Sequence, residues 1–130
     1  MTRWASLTVE SYNRMVVAMQ AAVDHDRMFG ALADATRRDI VRRAIDGREG
    51  VAELAGHYPM SFAAVQKHVA VLERAGLVHK HRIGRRKVVR TNLEGLRTAR
   101  RLLDRYEELW RERVDRMDQV LEEAQVEADR

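Results

Sequence analysis

The sequence predicts a mainly α-helical fold with one small β-hairpin, and three observations support this. Apolar residues recur at steps of three and four over most of the 130 residues, which is the period of amphipathic helices. The period changes to two only between residues 77 and 91, around a polar turn. Hydrophobic residues make up 45% of the chain, and there is one proline. We therefore expect one ordered domain with helical ends.

Residues 1–26 are predicted to form an amphipathic helical extension. Val9, Tyr12 and Met19 lie at helical spacings, after a start near Ser6 or Thr8. This helix packs either on the domain's own core or on a second copy of the protein. We favour a dimerisation helix, because the segment precedes the compact unit.

Residues 27–92 are predicted to form the compact domain. A helix from Arg27 ends near Ala33, and Asp34 caps a second helix over residues 35–45. The second helix carries an apolar stripe that should face inward: Ile40, Val41, Ala44 and Ile45. A short helix follows over residues 51–58. Ser61 is a strong helix N-cap and Gly76 a strong stop, so residues 61–76 complete the proportions of a helix-turn-helix.

The helix after Ser61 is predicted to bury one face and present the other. Four bulky residues at spacings of three and four should be buried: Phe62, Val65, Val69 and Leu72. Ala63, Gln66 and Lys67 point away from that face near the N-terminus. An amide can pair with both edge groups of adenine, and an ammonium can reach guanine or a phosphate. The exposed face therefore suits DNA.

The hairpin is predicted over residues 77–83 and 87–91, around the turn Gly84-Arg85-Arg86. Between His79 and Arg101 there are nine Lys or Arg residues and one acid, a local charge of +8. Four of these cations stand at or beside the tip: Arg82, Arg85, Arg86 and Lys87. Such a hairpin can grip phosphates or enter a minor groove. A charged edge that prevents aggregation is the alternative, and the density of arginines favours the first.

Residues 93–130 are predicted to form one long helix, capped by Thr91 or Asn92. An apolar seam follows it at steps of three and four, and its dimerising members are Leu103, Tyr106, Trp110, Val114, Met117 and Leu121. A helix of this length extends beyond the domain. Its seam therefore needs a partner, which we expect to be the same helix or the N-terminal helix of another copy.

Several short motifs fall in the order and spacing of one known family. They are FGALADATRRDI (29–40), VAELA (51–55), MS (60–61), VQKHVAVLERAGLV (65–78) and GRR (84–86). Over roughly residues 27–92 the chain resembles the ArsR family of bacterial winged helix-turn-helix repressors. The resemblance implies a homodimer that places two recognition helices in successive major grooves of a pseudo-palindromic operator.

The sequence departs from the family pattern at three places. Ala35 stands where the family usually has proline, although Asp34 can still cap the helix. Gln66 stands where serine is usual, so the base preference there should differ. The cysteine pair of metal-sensing members is absent, and no histidine follows His81. The chain therefore resembles the subset that lacks the metal-sensing motifs.

We predict a cytoplasmic, dimeric, sequence-specific DNA-binding repressor with no cofactor and no metal. The residues expected in the major groove or on its phosphate walls are Ser61, Phe62, Ala63, Gln66, Lys67 and His68. Two alternatives stand beside this prediction. One is a sensor of the same family whose effector is a small molecule or a metal held by His and carboxylates. The other is a helical protein-interaction module that binds a partner through the C-terminal helix.

Other classes of protein are not expected. The chain has no cysteine, which excludes disulfides and thiolate metal sites. No Ser-His-Asp order, paired carboxylates or glycine-rich phosphate loop indicates an enzyme. No apolar run approaches the roughly 20 residues that span a bilayer, and the first residues lack the apolar core of a signal peptide. His79 and His81 lie two apart on a strand among cations, so we expect phosphate or solvent contact there.

Overall fold

The computed structural model describes the backbone of residues 2–130 and the side chains of residues 9–20 and 24–130. The elements are α1 (Thr2–Leu32), α2 (Ala35–Ala44), α3 (Val51–Ala55), α4 (Phe62–Arg74), β1 (Val78–Ile83), β2 (Arg86–Thr91) and α5 (Leu93–Ala128). The chain divides into two compact units, Met1–Leu96 and Arg97–Arg130. The predicted mainly α-helical fold with one hairpin is confirmed. The predicted boundaries of the three segments stay predictions.

The N-terminal region forms one helix rather than two. α1 begins at Thr2, earlier than predicted, and runs through Arg27 to Leu32 without a break. No proline or glycine stands between residues 2 and 29, so nothing in the sequence interrupts the helix. No helix of the described part of the chain is long and apolar enough to cross a membrane.

The core of the first unit is formed by apolar side chains of the helices and the hairpin. The largest fully buried ones are Ile40, Leu54, Leu72, Leu77, Val65, Val69, Val88 and Val89. Ile45 does not join them, because α2 ends at Ala44 and Ile45 is 67% exposed as the C-cap. The expectation that it faces inward was therefore wrong.

The C-terminal end of α1 is held by two arginines of α2. Arg37 donates to the carbonyls of Ala31 at 2.7 Å and Gly30 at 3.1 Å. Arg38 donates to the carbonyls of Leu32 at 2.8 Å and of the following residue at 3.1 Å. The last carbonyls of a helix have no partner within it, and cations there also meet the negative end of the helix dipole. The two arginines thus fix the angle between α1 and α2.

A polar cluster joins α2 to the turn after α3. The Tyr58 hydroxyl donates to Asp39 Oδ2 at 2.6 Å, while Arg42 and Arg43 donate to the same carboxylate at 2.7 and 2.9 Å. The hydrogen bond from Tyr58 is the largest cause that holds the pKa of Asp39 well below its usual range, and the bonds from the two arginines are the next largest. Burial and the bond to Asp39 raise the pKa of Tyr58 to about 12. Asp39 thus stays ionised and Tyr58 neutral, the states that maintain the bond.

The hairpin is antiparallel and is fastened to the rest of the unit. Gly84 has a φ of +62° and opens a two-residue connection, as in a type II′ turn. The amide of Val89 donates to the carbonyl of Glu49 at 2.8 Å, so the segment before α3 pairs with β2. The Thr91 hydroxyl donates to the carbonyl of Val41 at 2.6 Å. These two bonds fix β2 against α2 and α3.

The end of α4 and the start of α5 meet at one turn. Gly76 has a φ of +74°, and the amide of Leu77 donates to the carbonyl of Leu72 at 3.0 Å, which closes a Schellman motif. Asn92 caps α5, since its Oδ1 accepts from the amide of Glu94 at 3.2 Å. Its Nδ2 donates to the carbonyl of Gly76 at 3.0 Å. The predicted caps at Gly76 and Asn92 are therefore confirmed, and they contact each other.

Replacing Gly95 with alanine should destabilise the domain by about 3 kcal/mol or more. A Cβ at this position would lie 2.0 Å from the carbonyl oxygen of Gly76, which is backbone and has nowhere to move. The free energy of unfolding from urea denaturation, followed by circular dichroism, measures this effect.

Gly30→Ala is the matched control, because Gly30 is also helical and a Cβ there meets nothing within 4 Å. It should raise stability by about 0.5–1 kcal/mol through the better helix propensity of alanine. Equal effects of the two substitutions would show that the contact between Gly95 and Gly76 does not constrain the fold.

Candidate nucleic-acid interface

The N-terminal half of α4 presents the polar face that the sequence predicts. Ser61 accepts a hydrogen bond from the amide of Ala64 at 3.1 Å and so caps the helix. Ala63, Gln66 and Lys67 are exposed. On the opposite side Val65, Val69 and Leu72 are at most 1% exposed. The core thus holds α4 in an orientation that leaves a small residue, an amide and a cation in solvent.

Phe62 lies differently from the other three apolar residues of its stripe. It is 50% exposed, so the prediction that it is buried was wrong. Phe62 is the first residue of α4 and follows directly on the cap, so no preceding helical turn covers its ring. At 3.6 residues per turn it stands at the margin of the stripe, about 40° from Gln66.

His68 lies at the rear of the polar face and is half-buried. Its Nδ1 is 3.4 Å from Nη1 of Arg37, the same arginine that caps α1. A guanidinium can only donate, so a hydrogen bond here makes Nδ1 the acceptor and places the ring proton on Nε2. In that tautomer His68 offers an N–H donor on its other side, which suits a phosphate oxygen.

One face of the hairpin places cations directly opposite one another. In the strand register Arg82 pairs with Lys87, and Lys80 stands on the same face opposite Val89. Like charges directly across a strand pair are destabilising. Within the described part of the chain neither Arg82 nor Lys87 has an ion-pair partner, and both are exposed. An arrangement that disfavours the free hairpin in this way fits a polyanion partner.

The cations at the tip differ in their surroundings. Arg85 is exposed in the connection between the strands. Arg86 forms an ion pair with Glu53 of α3 and donates to the carbonyl of Arg48 at 3.0 Å. Glu53 lies 33 positions before Arg86, so no local pattern in the sequence predicts the pair. Arg86 therefore also connects the hairpin to α3, whereas Arg85 has no such contact among the described residues.

Metal binding receives no support from the arrangement of ligand-type side chains. His79 and His81 are exposed on the hairpin. Among residues whose side chains the structure describes, no group of three or more His, Cys, Asp or Glu is placed to hold an ion.

Known proteins similar to this chain are transcriptional regulators, although no protein-family model matches it. The HTH-type transcriptional regulator Rv2034 of Mycobacterium tuberculosis is 44% identical over 81 residues, which cover 62% of this chain and 76% of the relative.

Solved structures are similar as well. An ArsR family transcriptional regulator superposes with a TM-score of 0.63 at 31% identity, over 69% of this chain and 93% of its own. An ArsR-like transcriptional regulator from Rhodococcus sp. RHA1 gives a TM-score of 0.68 at 28% identity, over 76% and 93% of the two chains.

Arg82→Glu should stabilise the isolated protein by roughly 0.2–1 kcal/mol, because it turns a like-charge pair with Lys87 into an opposite-charge pair. Urea unfolding at low salt measures the gain, which should shrink in 1 M salt. Lys80→Glu, which faces Val89, is the control for the change in net charge and should give less. A gain no larger than that of Lys80→Glu would mean that Arg82 and Lys87 do not repel each other.

Proposed function

The chain belongs to the ArsR family of winged helix-turn-helix transcriptional regulators, and on this premise we propose that it is a sequence-specific DNA-binding repressor that acts as a homodimer. The observation that carries the proposal is a pair of opposed cations on a hairpin, in the same compact unit as the polar end of α4. Neither cation has an ion-pair partner among the residues that the structure describes. Its relatives are regulators rather than enzymes.

In the proposed complex, α4 enters the major groove with its N-terminal half, as recognition helices do. Gln66 and Lys67 read base edges, because an amide pairs bidentately with adenine and an ammonium reaches guanine. Four neighbours line the groove or its phosphate walls: Ser61, Phe62, Ala63 and His68. The tautomer that Arg37 favours leaves His68 with a donor for a phosphate oxygen.

The hairpin acts as the wing and supplies affinity that does not depend on sequence. Arg82, Arg85 and Lys87 neutralise phosphates, and each contact releases a counterion from the DNA. Arg86 is proposed to contact phosphates as well, but it already has a carboxylate partner. It must exchange the carboxylate of Glu53 for a phosphate, so it should contribute less to the salt dependence of binding than Arg82.

The dimer is proposed from two apolar surfaces. On α1 the exposed apolar side chains include Val9, Tyr12, Met15 and Met19. On α5 every member of the predicted seam is exposed except the half-buried Val114. Leu109 and Val120 widen this stripe beyond the narrow seam of a two-stranded coiled coil, which suits packing against more than one helix.

Two copies are needed for the proposed mechanism. A single α4 reaches too few base pairs to select one site in a genome. A two-fold dimer places two recognition helices about 34–36 Å apart, one turn of DNA, and therefore recognises a pseudo-palindromic operator. Occupation of such an operator within a promoter excludes the transcription machinery, and this is the repression that we propose.

Gln66→Ala should reduce affinity for an operator selected from random duplexes by about 1–3 kcal/mol, with little effect on random DNA. Arg85→Ala should weaken both and lower the salt slope by about one. Fluorescence anisotropy at several salt concentrations separates the two effects. Arg105→Ala, which removes a cation from α5, is the control. If both variants lost affinity equally for operator and random DNA, the assignment of Gln66 to base contacts and of Arg85 to phosphate contacts would be overturned.

Trp110→Glu should convert a dimer into monomers at micromolar concentration, because it places a charge in the apolar stripe of α5. Sedimentation velocity measures the change. Gln119→Glu adds the same charge on the other side of the helix and should leave the dimer intact. A wild-type protein that sediments as a monomer would contradict the dimer.

A further inference from the structure

Phe62 is a large apolar side chain that the fold leaves in solvent at the end of α4 proposed to enter DNA. Its relative exposure is 50%, whereas Val65, Val69 and Leu72 of the same helix are at most 1% exposed. The fully buried contact of α4 with the core is thus made by the other three residues, and about half of Phe62 stays in solvent. The exposed half of the ring can lose its contact with water only through a partner outside the unit, and burial of apolar surface is favourable.

The position of Phe62 on the helix limits what that contact can be. Phe62 and Gln66 are one turn apart, so they are neighbours on the helix surface. Side chains of a helix lean toward its N-terminus, which brings the Phe62 ring to the end of α4 beyond Gln66. This end carries the base contacts of a recognition helix. In the proposed complex the ring therefore lies beside the base edge that the Gln66 amide is proposed to read.

The chemistry of the groove offers one apolar group at a base edge. Thymine carries its C5-methyl group into the major groove, while the other edge groups there are hydrogen-bond donors and acceptors. A phenyl ring has no donor or acceptor with which to read them, and a phosphate gives it no favourable contact. An apolar contact with the methyl group is the interaction that this side chain can make.

We propose that Phe62 selects a thymine in each half-site by packing its ring on the C5-methyl group, beside the base read by Gln66. The inference rests on the proposed function and adds a base identity to it. Burial of one methyl group corresponds to about fourfold in affinity for each half-site, and to about fifteenfold when both copies make the contact.

The test replaces thymine with deoxyuridine, which removes the methyl group and keeps every hydrogen-bonding group. An operator is first selected from random duplexes with the wild-type protein. Each thymine pair related by the two-fold axis is then replaced in turn, and affinities are measured by anisotropy. We expect one pair whose replacement weakens binding by about fifteenfold.

Substitutions in α4 show which residue senses the methyl group. Phe62→Ala should bind the thymine and deoxyuridine operators equally, while Phe62→Leu, which keeps an apolar group, should retain part of the difference. Gln66→Ala should keep the full difference. Because half of Phe62 is exposed, unchanged circular dichroism and only small shifts of the urea midpoint are expected of both Phe62 variants. The deoxyuridine series on the wild-type protein needs no variant at all.

Failure of this inference differs from failure of the proposed function. If an operator is selected but no thymine in it can be replaced by deoxyuridine with a loss of affinity, the role of Phe62 is overturned. It is also overturned if Phe62→Ala still binds the thymine operator more tightly than the deoxyuridine operator. Neither result contradicts the proposed function. A protein that enriches no sequence and shows no salt-sensitive binding to any duplex overturns the proposed function.

Discussion

The first unit depends on the turn at Gly76, where three elements meet. The turn ends α4, starts β1 and receives the first residues of α5 through Asn92 and Gly95. The carbonyl of Gly76 accepts from Asn92 and leaves no room for a side chain at position 95. α4 and the hairpin are therefore coupled at this turn, because α4 ends there and β1 begins there. This coupling suits the proposed contact with DNA, in which α4 and the hairpin bind at two separate points.

Local signals in the sequence predicted most elements, because caps and periods act over a few residues. Asp34, Ser61 and Asn92 accept the backbone bonds expected of N-caps, and Gly76 adopts the left-handed conformation expected of a stop. Two exceptions in burial lie at the ends of helices. Phe62 and Ile45 fit the apolar period of their helices yet remain exposed, because a terminal residue lacks the neighbouring turn that would cover it.

Long-range polar contacts were beyond prediction for a different reason. The pair of Glu53 with Arg86 and the bond of Arg37 to His68 join residues more than thirty positions apart, and single charged residues carry no signal of their partners. The sequence therefore predicted a uniformly basic wing, whereas its cations differ in their contacts within the unit. The charge and the exposure of most side chains in the candidate interface follow from composition and period, and Phe62 is the exception. Their separate roles depend on the folded arrangement.

The segment Arg37-Arg38-Asp39 lies within the first of the motifs that carry the family resemblance, and all three side chains form hydrogen bonds inside the unit. Arg37 and Arg38 hold the end of α1, and Asp39 holds Tyr58 after α3. The side chains of this segment thus stabilise the fold. The residues proposed to choose the DNA lie elsewhere, on the exposed side of α4. Relatives that share this segment are therefore free to diverge in their target sites without any change of scaffold.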